Sequence, residues 1–291
     1  MAPTVTVRAH AKINLELRVV GVRPDGFHDL ETVFQALELH DTLHGVRRDG
    51  PLAIACTAPD VPADARNLVW RAAAAVWRHL ERAGDPHGVA VRLEKAIPVQ
   101  AGLGGGSSDA AAALVALSRL WAARLEDAEL TRLAAGLGSD VAFFLTGGTA
   151  IGRGRGERLV ALPDLPPHWV VLACPAFGVS TAEAYGWYDA DRTPAPPGAP
   201  LDDGWTLAPG PIRNDLEGPV TRRHPGIGVA RAELLAGGAV AAGLCGSGSA
   251  VFGLFPARAA AEGASAALAR GGWRTILTRT VRRLAEPHGI V

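Results

Sequence analysis

A chain of 291 residues with 48% hydrophobic side chains can bury one large core or two of ordinary size. Lys plus Arg and Asp plus Glu both number 29, and the resulting zero net charge argues against bulk nucleic-acid binding, which leaves a basic excess. No apolar run reaches the ~18 residues that span a bilayer, and the stretch from Met1 to Arg8 lacks the apolar region of a signal peptide, so no membrane partner is expected.

The three cysteines, Cys56, Cys174 and Cys245, are scattered, and no pair has ligand spacing. Reduced thiols, a cytoplasmic location and no protein-held metal site are the expectation.

Val5 to Ala9 alternates and reads as a strand, as do Ala11 to Leu17 and then Val19. Ile13, Leu15 and Leu17 take one face; Lys12 and Asn14 take the other. The chain has only two lysines, Lys12 and Lys95, among its 29 basic residues. Such a chain keeps Lys where a compact point charge serves better than a planar fork. The pair also reads as ordinary polar residues on an exposed strand face. Pro24-Asp25-Gly26 is a turn, because it combines a fixed φ, a side-chain hydrogen bond to local backbone and a free φ. It leaves Phe27 and His28 adjacent on a loop; taken alone, His28 is a surface histidine.

Thr32 to Leu43 and Leu52 to Cys56 read as further strands. Asn67 opens a helix that runs to about Arg82, with N-cap chemistry. Val89, Val91 and Leu93 alternate as a strand with Lys95 at its end.

That strand runs into Ile97-Pro98-Val99-Gln100-Ala101-Gly102-Leu103-Gly104-Gly105-Gly106-Ser107-Ser108-Asp109, and an Ala- and Leu-rich helix follows from Ala110 to Trp121. Ser107 or Ser108 is the natural N-cap. Strand, glycine loop and helix start together present free backbone N–H groups and a positive dipole end, an anion site. Four glycines let the backbone approach a ligand closely. No Gly-Lys-Ser/Thr follows, so this is not a Walker A loop; position 107 is Ser, so it is not the dinucleotide fingerprint. The plainer reading is a turn that joins strand to helix.

A helix from Asp127 to Leu137 buries Leu130, Leu133, Ala134 and Leu137, and Gly138 closes it. Ser139 and Asp140 follow, then an apolar run, Val141 to Leu145, read as a strand. A carboxylate there is either a general base or a capping, ion-paired Asp. Glycines then punctuate short strands to Gly156.

A second half begins near residue 165. Trp169 to Cys174 is a buried strand, and Thr181 to Tyr185 begins a short helix on which Tyr185 also reads as a core ring. Residues 193 to 211 are rich in Pro and Gly and read as a surface loop. Asn214-Asp215-Leu216-Glu217 starts a helix, and Ile227 to Leu235 forms another. Strands Val240 to Leu244 and Val251 to Phe255 flank Cys245-Gly246-Ser247-Gly248-Ser249, which also reads as a plain hairpin turn. A helix from Ala257 to Arg270 and a strand from Arg274 to Val281 complete a ferredoxin-like order.

Pro98-x-x-x-Gly102-Leu103-Gly104-Gly105-Gly106-Ser107-Ser108-Asp109 resembles the phosphate loop of the GHMP kinases. Ala11-Lys12-Ile13-Asn14-Leu15 and Arg23-Pro24-Asp25-Gly26-Phe27-His28-Asp29-Leu30-Glu31-Thr32 are similar to the opening of a branch of that family acting on a cytidylyl alcohol. The resemblance implies an α+β, two-domain GHMP kinase fold: a mixed-sheet domain over 1–164 and a ferredoxin-like domain over 165–291. It implies ATP as co-substrate with Mg²⁺, and phosphorylation of the alcohol's 2-hydroxyl in isoprenoid precursor synthesis.

Lys12 and Asp140 are then catalytic. Pro98, Gly102, Leu103, Gly104, Gly105, Gly106, Ser107, Ser108, Lys95 and Asn67 line the ATP site, with Ser108 the candidate contact to Mg²⁺. Asn14, Phe27, His28, Thr181 and Tyr185 bind substrate, the rings taking the cytosine. Phe27 stands where the family commonly has Tyr, so stacking is kept and a phenol hydrogen bond is not. Gly246 to Ser249 closes over the phosphate loop from the other domain. The rivals are a mevalonate- or homoserine-type GHMP kinase, a non-catalytic binding protein and an interaction module. Keeping both Lys12 and Asp140 argues against the binding protein; failure of ATP analogues to raise the melting temperature would favour the interaction module. Monomer and homodimer stay open.

Overall fold

The computed structural model describes residues 3–59, 61–191 and 199–283. In chain order the first half runs β1 (Thr4–Val22), β2 (His28–Pro51), β3 (Ala53–Cys56), α1 (Leu68–His79), β4 (His87–Glu94), α2 (Gly105–Leu120), α3 (Asp127–Leu137), α4 (Val141–Thr146), β5 (Thr149–Gly154) and β6 (Arg158–Ala161). The second runs β7 (Trp169–Cys174), α5 (Thr181–Ala190), β8 (Gly210–Pro211), α6 (Glu217–Arg223), α7 (Gly226–Ala236), β9 (Ala241–Leu244), β10 (Val251–Phe255), α8 (Arg258–Arg270) and β11 (Arg274–Arg279).

The first sheet has the order β3-β4-β2-β5-β6, with β1 along β2. Only β3 and β4 pair in parallel, so the sheet is mixed. The second sheet has the order β11-β7-β10-β9-β8. Its four main strands are antiparallel neighbours in the ferredoxin-like arrangement. Helix α2 packs on the first sheet, and α1 and α3 pack against α2, all three sharing one apolar cluster with β1, β2 and β4. Another cluster, with α7 and α8, covers the second. Between them a central cluster takes Ile13, Leu15 and Val33 from one sheet, Leu172 and Phe252 from the other, and Leu103 from the glycine loop. The loop is thus anchored by a buried leucine where the halves meet.

β1 is one strand of 19 residues, not two, and register shifts interrupt its pairing with β2 at His10/Lys12, Asn14/Glu16 and Val19/Gly21. Such irregularities re-aim side chains, and here they flank Lys12 and Asn14. Helix α1 stops at His79 rather than near Arg82.

The run Val141 to Leu145 is not a strand but most of helix α4. A short apolar run does not distinguish the two by periodicity. Here Phe143 packs on Phe34 of β2 with ring centroids 4.8 Å apart, and Gly147, with φ at +64°, ends the helix.

Neither Ser107 nor Ser108 caps α2. Gly104 does, in the left-handed region at φ +73°, and no side chain closes the helix start. Residues 192–198 of the Pro-rich stretch lie outside the described residues. The part after it is packed down: Leu201 is buried, and Trp205 Nε1 donates to Glu16 Oε2 at 2.8 Å.

Candidate active site

The glycine loop is placed by what surrounds it. A Cβ on Gly102 would overlap the Cys245 carbonyl oxygen, and φ there is +74°. A Cβ on Gly104 would stand 2.6 Å from Phe144 Cζ and 3.1 Å from Lys12 Cγ. Both positions therefore need glycine because other chain segments press directly on the loop. The Lys12 N–H donates to the Leu103 carbonyl at 3.0 Å, which ties β1 to the loop. The first helical bond of α2 runs from Ser108 N–H to the Gly104 carbonyl. The amides before it have no helical partner and no side-chain cap, so they are free to bind an anion.

The segment between β9 and β10 closes on the loop from the second half. Ser249 N–H donates to Gln100 O at 3.3 Å, and Ala250 N–H to Ala101 O at 3.2 Å. A Cβ on Gly246 would come within 2.9 Å of Lys12 Nζ. Asn214 Nδ2 donates to the carbonyls of Leu244 and Gly246 at 3.1 and 2.8 Å, holding this turn in place. Asn214, which by its local sequence reads only as a helix start, thus braces the turn that faces the loop. The signal was present: it is one of three asparagines in the chain.

Lys12 and Asn14 do not lie on an exposed face; both are buried, at 4% and 2% exposure. Lys12 Nζ donates to Asn14 Oδ1 at 2.8 Å, and Asn14 Nδ2 donates to Thr32 Oγ1 at 2.7 Å. The chain of bonds aims the ammonium at Asp140, 3.3 Å away. Asp140 sits at the start of α4 and makes no capping bond, which leaves its carboxylate for the site. Its side chain is 30% exposed against 5% for Lys12, so a fixed buried cation meets a reachable carboxylate.

These groups open on one cavity of about 940 Å³, lined also by Asn67, Lys95, Pro98, Ser107, Thr181, Phe27, His28 and Tyr185. The halves contribute jointly: Thr181 Oγ1 lies 3.2 Å from Ser247 Oγ. Asn67 caps α1, its oxygen accepting from Val69 N–H at 2.9 Å while Nδ2 donates to Pro62 O. It presents to the cavity as part of a helix start.

Lys95 does not offer a free ammonium. Its Nζ is bound between Asp41 and Asp109, the latter at 2.6 Å. Asp41 also accepts from the N–H groups of Ala96 and Ile97 at 2.6 and 2.8 Å. The Lys95 side chain therefore braces the loop's entry strand against the first turn of α2. Burial pushes the Asp109 carboxyl up to about 7, against the pull of the Lys95 ammonium. Ser108, expected at the ATP site, is fully buried and does not line the cavity; among the described residues its Oγ and Asp109 Oδ1 have no hydrogen-bond partner.

At the far end, His28 stacks on Tyr185 with centroids 4.7 Å apart. Phe27, expected to face Tyr185, is 54% exposed and lies under Arg155, 5.2 Å from the guanidinium. Burial raises the Tyr185 phenol.

A strand cation facing a carboxylate beside uncapped helix amides is the layout of a phosphotransferase built on a glycine loop. The chain belongs to the GHMP kinase family: its N-terminal domain description matches residues 67–148 and its C-terminal one residues 207–272. Within that family the chain is 42% identical to the 4-diphosphocytidyl-2-C-methyl-D-erythritol kinase of Moorella thermoacetica, over 95% of this chain and 99% of that protein. It is 44% identical to the protein of the same name from Anaeromyxobacter dehalogenans, over 94% and 90%. A crystal structure of 4-(cytidine 5'-diphospho)-2C-methyl-D-erythritol kinase superposes with a TM-score of 0.76 at 38% identity, covering 94% of this chain and 98% of that one. The homoserine kinase of Cytophaga hutchinsonii shares the fold at TM-score 0.72 with 17% identity, over 99% of this chain and 96% of that one.

Proposed function

We propose that this protein is the ATP-dependent kinase that phosphorylates the 2-hydroxyl of 4-diphosphocytidyl-2-C-methyl-D-erythritol, a step of non-mevalonate isoprenoid precursor synthesis. The observation that carries the chemistry is the 3.3 Å contact between Lys12 Nζ and Asp140 Oδ2 beside the free amides of α2. The choice of substrate over mevalonate or homoserine rests on relatives above 40% identity that carry this name.

Phosphoryl transfer needs placement and charge neutralisation more than covalent help. The amides of Gly104 to Ser107 hold the nucleotide's phosphates. Asp140 takes or orients the proton of the attacking hydroxyl. Lys12, fixed by Asn14, neutralises charge growing on the reacting oxygens. Phe27, His28, Thr181 and Tyr185 hold the cytidylyl end. Pro98, Leu103 and Asn67 shape the nucleotide pocket, and Lys95 braces it.

Among the described residues no group of three or more His, Cys, Asp or Glu could hold a metal. Asp140 is the reachable carboxylate of the cavity and fits a cation carried in on phosphates better than a resident one, whereas Ser108 is buried outside the cavity lining. Mg²⁺ so bound would draw charge from the transferring phosphoryl group.

Three free cysteines and the absence, among the described residues, of a helix long and apolar enough to cross a membrane support a cytoplasmic enzyme. It acts on small molecules as a monomer or homodimer, with its domain boundary near residue 164. Mixing the protein with ATP and the cytidylyl alcohol should yield ADP and a new phosphate monoester. Turnover of mevalonate or homoserine instead would refute the reading.

A further inference from the structure

One contact at the base end plays no part in the phosphotransfer chemistry. His28 Nε2 lies 2.9 Å from Asp189 Oδ1. His28 opens β2, and Asp189 lies 161 positions later, in α5. The imidazole is 9% exposed and the carboxylate 48%. Tyr185, one turn earlier on α5, stacks on the same imidazole at 22° between planes. Both α5 residues line the cavity beside Phe27. One helix thus fixes the plane of the ring and the partner of one of its nitrogens.

A carboxylate only accepts hydrogen bonds, so His28 Nε2 carries the proton. In the neutral ring Nδ1 is then left as an acceptor. Cytosine presents an amino donor at its 4-position; a 4-keto pyrimidine presents an oxygen acceptor there. An acceptor nitrogen attracts the first and repels the second.

We propose that Asp189 is a positioning residue for nucleobase choice: by holding His28 in the Nε2–H form it makes Nδ1 the acceptor for the exocyclic amine of cytosine. Asp189 thereby sets the preference for a cytidylyl over a uridylyl substrate. This rests on the proposed cytidylyl substrate.

The test compares the parent, Asp189→Ala and Asp189→Asn on the cytidylyl alcohol and its uridylyl counterpart. Assays at about pH 8 lie above the ordinary imidazole range. The Ala variant should lower the cytidylyl-to-uridylyl ratio of kcat/KM by roughly 10-fold, the weight of one hydrogen bond to a fixed acceptor. It should do so through KM for the cytidylyl substrate, with kcat and the KM for ATP unchanged. The Asn variant keeps an oxygen that accepts from Nε2 and should retain most of the ratio.

Nitrogen-15 spectra of the free protein, with His28 assigned by loss of its signals in His28→Gln, should show a protonated Nε2 and an unprotonated Nδ1 in the parent, and a mixture in Asp189→Ala. An unchanged ratio in the Ala variant, a parallel rise in the KM for ATP, or a protonated Nδ1 in the neutral parent ring would overturn the proposal. A parent that turns over neither substrate refutes the proposed function, and the nitrogen spectra still decide the tautomer.

Discussion

At the glycine-loop end of the cavity, the proposed phosphate end, backbone packing and a buried chain of hydrogen bonds set the geometry. At the far end, the proposed base end, side chains from two distant segments set it. Gly102 and Gly104 are pressed by Cys245 and Phe144, and Lys12 is held by Asn14 and Thr32. His28 is held by the Tyr185 ring and the Asp189 carboxylate, both from α5, and Phe27 is half open to solvent. The difference matches the two tasks. A transferring phosphoryl group demands one fixed arrangement of charges, since misplacement is costly in rate. Recognition of a base tolerates adjustment, because stacking and a few hydrogen bonds form as the ligand arrives.

If the phosphate end is preformed, single changes there should be severe and specific. Asp140→Asn should lower kcat by roughly 10²–10⁴, the range for loss of a general base, with little change in Tm. Near-normal turnover would remove Asp140 from that role. Gly102→Ala should destabilise the chain by about 3 kcal/mol or more, because both the positive φ and the Cys245 carbonyl oppose a Cβ; denaturant unfolding of parent and variant measures it.

The base end should respond more mildly and in KM. Phe27→Ala should raise KM for the cytidylyl substrate by roughly 10-fold, as expected for loss of an aromatic contact, and leave that for ATP nearly unchanged. An equal rise in both would mean the base is held elsewhere.

A last test sharpens the contrast through pH. The Asp109 carboxyl is raised from 3.8 to about 7 in the folded chain. The folded state then binds more protons than the unfolded one between these values, so stability falls as pH rises from about 4 to about 7. In Asp109→Asn that decline should disappear, so the variant's Tm gains on the parent's as pH rises. A gap between the two Tm values that stays constant with pH would place the titration elsewhere.

Much of this was legible in the residues. The glycine run, the alternation around Lys12 and the helix before Asp140 are local patterns with local causes. Val141 to Leu145 suits a strand or a helix equally, being five apolar residues; in the fold it is helix, with Phe143 packed on Phe34. Ser107 and Ser108 were natural caps by residue type, yet the loop's left-handed Gly104 starts the helix and leaves the amides open. By its place at the end of the strand before the glycine loop, Lys95 reads as a site cation, and only folding shows its charge held by Asp41 and Asp109.

The amino-acid order alone determined the class of chemistry: a glycine loop on a helix start, with a rare lysine and a well-placed aspartate, is recognisable because each piece depends on neighbours a few residues away. The tertiary structure alone decided which groups meet. Lys12 and Asp140 are 128 positions apart (140 − 12) and His28 and Asp189 161 apart, and no local preference brings such pairs to 3.3 and 2.9 Å. A core shared by two sheets does, because burying Leu103 with Ile13 and Phe252 leaves the polar neighbours of all three segments one cavity to face.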